Sequence, residues 1–321
     1  MRRAAFALLL GMLAMGFAPT TNSQARAQEQ PQATFRSGVD AVSVTASVRD
    51  SRGRVVRNLT KADFEVLDEG GRSEIRDFFA GDAPVSLALL LDISGSMAVG
   101  GNMERAREAI AVATMALRSG PDEAALYTFD SELREVVSFT KDIDKVRHVN
   151  LKGKPWGKTS LFDAIATAAR NVAERDNRHR ALMVITDGID TGSTLTGPEV
   201  SGIAASIDVP VYLLTVVNPV DHIGGEFGVQ QTDTRVAETA TLADLARWTG
   251  GDMHVASEPL HTQAAIEHVF LDLRHQYLIT FEPGTRPGWH RLEIRTRKKD
   301  LVVRARSGYM AGPEHSESHR R

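Results

Sequence analysis

Three runs in this chain are almost wholly apolar: Ser86–Leu91, Ala181–Ile185 and Val209–Val217. Each has the length of a β-strand. A strand without a polar side must be covered on both faces, which is the situation in a parallel sheet and not in a solvated antiparallel one. Pro210 sits near the start of the third run, where a missing N–H is tolerated. Helical periodicity fills the gaps. Met103, Ala106, Ile110, Ala113 and Leu117 recur at helical spacing, Asn102 is placed to cap that helix, and Gly120-Pro121 ends it. A further helix is expected over Thr159–Arg170. Ala124–Phe129 reads as a strand with Leu133–Phe139 as its hairpin partner. Buried strands alternating with amphipathic helices predict a doubly wound, mostly parallel α/β sheet over residues 85–275.

The flanks obey a different period. Val42, Val44, Ala46 and Val48 alternate with Ser43, Thr45, Ser47 and Arg49, the mark of a half-buried strand. Phe64–Leu67 is a second strand, closed by Asp68-Glu69-Gly70-Gly71. After the α/β unit, Tyr277–Phe281, Trp289–Arg297 and Leu301–Val303 again look like antiparallel strands. The β segments at 40–84 and 276–311 are each too short to make a stable sheet alone. They are expected to pair with each other into one small antiparallel β module, with the α/β domain inserted between them.

The N-terminus has the build of an export signal. Arg2 and Arg3 precede an uncharged run from Ala4 to Phe17, and Ala25-Arg26-Ala27 supplies an A-x-A cleavage site. The run is shorter than the roughly 20 residues a membrane helix needs, and a buried N-terminal helix is the alternative. Residues 1–27 are read as a signal peptide, 28–39 as a flexible arm and 312–321 as a polar tail. No later segment is apolar enough to span a membrane, so the product is expected to be periplasmic or secreted. Removing residues 1–27 takes away Arg2, Arg3 and Arg26, leaving 35 basic against 41 acidic residues and a net charge of −6. That balance argues against a nucleic-acid partner. The chain has no cysteine, which excludes disulfides, thiolate catalysis and zinc knuckles.

Chemistry gathers at strand ends. The first buried strand runs into Asp92-Ile93-Ser94-Gly95-Ser96, and the second into Thr186-Asp187-Gly188. Between them Gly157-Lys158-Thr159-Ser160-Leu161 opens a helix. In an open α/β sheet, strand ends and the starts of the following helices share one edge. Asp92, Ser94, Ser96, Thr159 and Asp187 can therefore converge, offering two carboxylates and three hydroxyls. Hard oxygen donors of that kind suit Mg²⁺ or Mn²⁺ better than Zn²⁺.

These three motifs, in this order and at these element ends, resemble the metal-ion-dependent adhesion site of von Willebrand factor type A domains. The resemblance covers about residues 85–275. It implies that Ser94, Ser96 and Thr159 coordinate the metal directly, with Asp92 and Asp187 direct or one water away. It also implies that a carboxylate from a protein partner completes the coordination. The segments Leu59–Phe64 and Val303–Tyr309 resemble the flanks of the related proteins that bacteria export.

Other residues surround these motifs in the sequence. Asp163, Asp190 and Ser193 are placed to orient the metal loops, or else to stabilise turns. Asp130 is expected to cap its hairpin. The irregular stretch 218–237 emerges on the same edge, and Asp221, Glu226 and Asp233 within it read as a ligand-selecting rim or as a tolerated insertion. Gly153–Ser160 mimics a phosphate-binding loop but has three residues between its glycines where that motif needs four, and no buried strand precedes it. His261, His268 and His275 recur every seven residues on what is expected to be a solvent-facing stripe, about 10 Å apart, too far to share a metal. His315 and His319 lie in the tail, where no helix is expected. Arg291, Arg295, Arg297, Lys298, Lys299, Arg304 and Arg306 read chiefly as solvated basic residues. The expected function is an exported, non-enzymatic, metal-dependent protein-binding or adhesion module. A metal-dependent hydrolase and a structural or assembly factor of the cell envelope are the alternatives. No histidine, Gly-x-Ser-x-Gly elbow or His-Glu-x-x-His motif lies near the site to support the first of these.

Overall fold

The computed structural model describes residues 41–151, 153–218 and 242–312. The expected signal peptide, the arm at 28–39, nearly all of the tail with His315 and His319, and the rim residues Asp221, Glu226 and Asp233 lie outside the described residues.

The apolar runs form the centre of a six-stranded sheet. Its strands are β5 (Val85–Asp92), β6 (Glu123–Phe129), β7 (Leu133–Thr140), β8 (His179–Thr186), β9 (Val211–Val216) and β10 (Met253–Ala256), in the order β10-β9-β8-β5-β6-β7. All neighbours are parallel except the β6–β7 hairpin. The period of two along β5 explains why the run has no polar side. Leu87, Leu89 and Leu91 pack on one face, and Ala88 and Leu90 on the other.

Helices α1 (Asn102–Ala116), α2 (Ile143–Arg147) and α6 (Pro259–Arg274) cover the first face. Helices α3 (Leu161–Ala173) and α4 (Gly197–Ser206) cover the second, with a helical stretch over 242–249 (α5). Two boundaries differ from expectation. Gly101, in the left-handed region at φ 77°, is the N-cap of α1, and Asn102 is already helical, its side chain accepting from Arg105. Helix α3 begins at Leu161, leaving Thr159 in the loop before it.

The flanks interleave. One sheet runs β13-β1-β11-β4 and the other β14-β12-β2-β3, where β1 is Val42–Asp50, β2 Phe64–Asp68, β3 Gly71–Ser73, β4 Ile75–Ala80, β11 Tyr277–Phe281, β12 Gly288–Thr296, β13 Leu301–Ala305 and β14 Gly308–Ala311. Thus β1 sits between two strands of the C-terminal flank, and β12 of that flank sits beside β2 of the N-terminal one. Val44, Val48, Phe64, Val66, Ile279 and Phe281 close a separate core within the β module.

Strand β1 is not half-buried as its alternation suggested. Thr45 and Ser47 are buried as well. The Thr45 N–H and hydroxyl donate to Asp208, which follows α4, and Arg49 pairs with Asp272 of α6 at 2.7 Å. Thr45 and Arg49 can be buried here because the α/β unit supplies their partners. Arg306 is likewise no solvated cation. It is 4% exposed, and its guanidinium donates to the carbonyls of Ala205 and Ser206 at the end of α4 and to Ser43 of β1. Arg304, partly buried, pairs with Asp252. Arg291 and Arg295 do face outward on β12, and Arg297, just past its end, is exposed. His261 and His268 are exposed, whereas His275 is partly buried at the end of α6.

Candidate metal centre

Strand order locates the site. From β5 the chain moves outward through β6 and β7, then returns to the other side of β5 as β8 and continues outward through β9 and β10. The loops leaving β5 and β8 therefore diverge and open a crevice at the carboxyl ends of those strands, the usual ligand position in an open α/β sheet. Asp92 ends β5 and Thr186 ends β8. Leu91 pairs with Ile185 in the parallel register, so the next pair brings Asp92 and Thr186 together.

Asp92 is fully buried and both its oxygens are engaged. Oδ1 accepts the Ser94 N–H at 2.8 Å and Oδ2 accepts the Thr186 hydroxyl at 2.6 Å. Burial pushes the Asp92 carboxyl up to about 6, and the nearby Asp187 charge adds to the rise, against the hydrogen bonds from Ser94 and Thr186. Thr186 belongs to the Thr-Asp-Gly motif, where the sequence alone assigns it no role. The strand register is the signal that assigns it one.

The turn after Asp92 brings its hydroxyls together. Ser94 Oγ and Ser96 Oγ lie 3.2 Å apart. Two backbone bonds tie this turn to the loop before α3: Trp156 N–H donates to the Ile93 carbonyl at 3.0 Å, and Gly95 N–H to the Gly157 carbonyl at 3.1 Å. Gly157 adopts φ 93°, a conformation that favours glycine, and this lets the chain reverse towards Thr159. Thr159 is 2% exposed. Its N–H donates to the Thr191 hydroxyl, and its carbonyl accepts the N–H groups of Thr191 and Gly192. The three motifs therefore meet through a chain of short-range contacts. The Gly153–Ser160 stretch lies outside regular secondary structure and is stitched to the Asp-Ser-Ser turn.

The supporting residues act on loops. Ser193 Oγ accepts the N–H groups of Phe162 and Asp163, capping α3 from 30 residues away in sequence. Asp163 returns the favour, accepting the Thr194 and Leu195 N–H groups and the Thr194 hydroxyl. Burial alone would raise the Asp163 carboxyl, but those N–H groups hold it below its ordinary value. Asp190 accepts the N–H groups of Gly192 and Ser193 in a tight turn. Asp130 accepts the Glu132 N–H and pairs with Arg134, closing the β6–β7 hairpin, while its carbonyl accepts the Ser160 N–H. Among the described residues, no group of three or more His, Asp and Glu side chains is arranged to hold a metal. Any cation at this edge would therefore rest largely on hydroxyl oxygens.

Residues 87–189 match the family model of the von Willebrand factor type A domain. No curated protein matches the chain. Among solved structures, the conserved hypothetical protein BatB from Bacteroides thetaiotaomicron is similar over 58% of this chain and 97% of its own, at 19% identity and a TM-score of 0.44. An aerotolerance-related membrane protein from Bacteroides fragilis is similar over 59% and 98%, at 20% identity and a TM-score of 0.45. A von Willebrand factor type A protein from Catenulispora acidiphila is similar over 86% and 75%, at 12% identity and a TM-score of 0.45. The parallel sheet, the ordered motifs and the family match coincide over residues 87–189, which are similar to a von Willebrand factor type A domain.

Proposed function

We propose that this chain is an exported, non-enzymatic binding module whose α/β domain holds a divalent cation, Mg²⁺ or Mn²⁺, and through it engages an acidic side chain of a protein partner. The observation that carries the reading is the pair of serine hydroxyls at 3.2 Å beside the buried Asp92, at the crevice where the strand order reverses. Adjacent ligands of an octahedral Mg²⁺, bound at roughly 2.0–2.1 Å, stand about 2.9 Å apart, so Ser94 and Ser96 need close only slightly. Thr159 supplies the third hydroxyl. The oxygens of Asp92 are already engaged by Ser94 and Thr186, which suits it to act through an intervening water, with Asp187 as the second balancing charge. A cation held this way carries little direct anionic ligation and supplies an open position for an incoming carboxylate.

Export rests on the leader-like N-terminus. Among the described residues, no helix is long and apolar enough to cross a membrane. The hydrolase alternative requires a general base beside the metal. Asp163 and Asp190, the acids considered for that role, accept loop N–H groups and serve the scaffold.

Calorimetric titration of Mg²⁺ and Mn²⁺ into the purified protein tests the site. Binding is expected in the wild type and lost in Asp92→Ala and Thr159→Ala. Heats unchanged in both variants would falsify the assignment. A pull-down with and without EDTA tests the partner, and a catch that ignores EDTA would move recognition to the β module.

A further inference from the structure

The turn that carries Ser94 and Ser96 is flanked by exposed apolar side chains. Trp156 is 82% exposed, the most exposed large apolar residue among the described ones, and Val99 is 68% exposed. Neither gains stability from that position, and exposed tryptophan is the residue type most often found anchoring a protein interface. Trp156 is also held in place, because its N–H bonds to Ile93 inside the turn itself.

The loop that carries Trp156 leads into a groove. Between α1 and residues 146–151 and 153–154 lies a depression of about 720 Å³ lined by Ile110, Val146 and Leu151 and by Arg107, Arg147 and Lys154. Among the described residues, none that lines it is acidic. Arg107 and Arg147 pair with Glu104 at 3.9 Å and Asp144 at 2.7 Å, both outside the lining, which leaves Lys154 as the rim cation with no such ion pair among the described residues. Arg107 is fixed by the Leu151 carbonyl and Arg147 by the Thr114 carbonyl, so the rim is positioned by backbone contacts. Gly153 in the groove and Gly157 at the serine turn are four residues apart. Extended chain covers that distance in at most about 14 Å.

We propose that the interaction surface continues from the cation site across Trp156 into this groove. The partner is then an extended peptide segment with three features: an acid at the cation, a large apolar residue on Trp156, and a second acid among Arg107, Arg147 and Lys154. This rests on the cation-dependent reading above and adds its sequence requirement. An acidic, apolar-studded peptide complements a basic rim over an apolar floor. A nucleic acid does not, since the chain from residue 28 onward carries a net charge of −6 and repels a polyanion outside this one patch.

The test is a selection of random peptides of about a dozen residues, long enough at 3.3 Å per residue to span both ends, on the immobilised protein in Mg²⁺. Selected peptides are expected to combine acidic with large apolar residues. Their affinity should fall at least tenfold in Lys154→Glu, in Lys154→Glu with Arg107→Glu, and in Trp156→Ala, with Mg²⁺ titration unchanged in the Lys154 and Arg107 variants. Arg291→Glu with Arg295→Glu, on outward positions of β12, should leave affinity unaltered. Lys154 is exposed, so its reversal alone keeps the test independent of folding. Peptides without acidic enrichment, no recovered binder, or affinity indifferent to the groove variants would overturn the proposal. Sensitivity to EDTA but not to the groove variants sinks the groove and spares the cation site. The reverse pattern sinks the cation site and spares the groove.

Discussion

At the scale of single residues, burial decides what each polar group does. Asp92 and His179 are both fully buried in the sheet, at opposite ends of neighbouring strands. Asp92 is surrounded by hydroxyls and N–H groups, which is where ligand chemistry can arise. His179 has neither ring nitrogen hydrogen-bonded. Burial, with Arg178, Arg274 and His275 nearby and only Asp82 opposing, lowers its pKa from 6.5 to about 4. An unfolded chain therefore takes up a proton near pH 6.5 that the folded chain refuses until about pH 4, so stability is lost as pH falls through that window. The loss is on the order of 3 kcal/mol. His179→Leu is expected to equal or exceed the wild type at neutral pH and to flatten that part of the profile. Urea unfolding of both proteins between pH 7 and pH 4 checks it, and parallel profiles would refute the assignment.

At the scale of elements, the site depends on how helix α3 begins. Ser160 is its N-cap by position, yet the cap oxygen comes from Ser193 in another loop. Asp163 of the helix secures that loop in return. Ser193→Ala should cost about 1 kcal/mol in chemical denaturation, as loss of a helix cap does. It should also weaken Mg²⁺ binding several-fold by loosening Thr159. Thr159→Ala, by contrast, should abolish binding at little cost in stability. Equal stability and affinity in Ser193→Ala and the wild type would show that the cap does not position the loop. Sequence alone named Asp163, Asp190 and Ser193 as candidates because they follow the motifs. It did not show which loop each one holds, since those contacts span about 30 residues and leave no periodic trace.

At the scale of the whole molecule, the described residues form one compact unit although two folds are interleaved within it. Arg306 shows how they are joined. It neutralises Asp208 at 3.4 Å, caps the last carbonyls of α4 and reaches the backbone of β1. Two residues further on, Gly308 lies so close to Trp289 that an added Cβ would sit 2.2 Å from the ring. Tyr309 and His290 then converge on the buried Asp68 of β2. Burial alone would lower the His290 pKa, but the Arg286 carbonyl and the Asp68 carboxylate raise it above its ordinary value. The Val303–Tyr309 segment thus welds the β module to the α/β domain. Arg306→Ala leaves Asp208 unbalanced and should cost about 3 kcal/mol. The wild type should melt in a single transition seen alike by far-ultraviolet circular dichroism and tryptophan fluorescence. Two resolved transitions would mean that the halves are energetically separate.

The sequence by itself determined the mostly parallel sheet, the burial of its central strands on both faces, and the strand ends and loops that carry Asp92, Ser94, Ser96, Thr159 and Asp187. Those features follow from local periodicity and from the order of strands and helices, which neighbouring residues encode. Only the tertiary structure decided that the polar side of β1 is buried, that Arg306 is an internal tie, that Thr186 holds Asp92 and that a basic groove opens beside Trp156. Thr45 meets Asp208 across 163 residues and Ser43 meets Arg306 across 263. A serine or arginine looks the same in sequence whether its partner is water or a distant carboxylate. The folded packing alone supplies the partner.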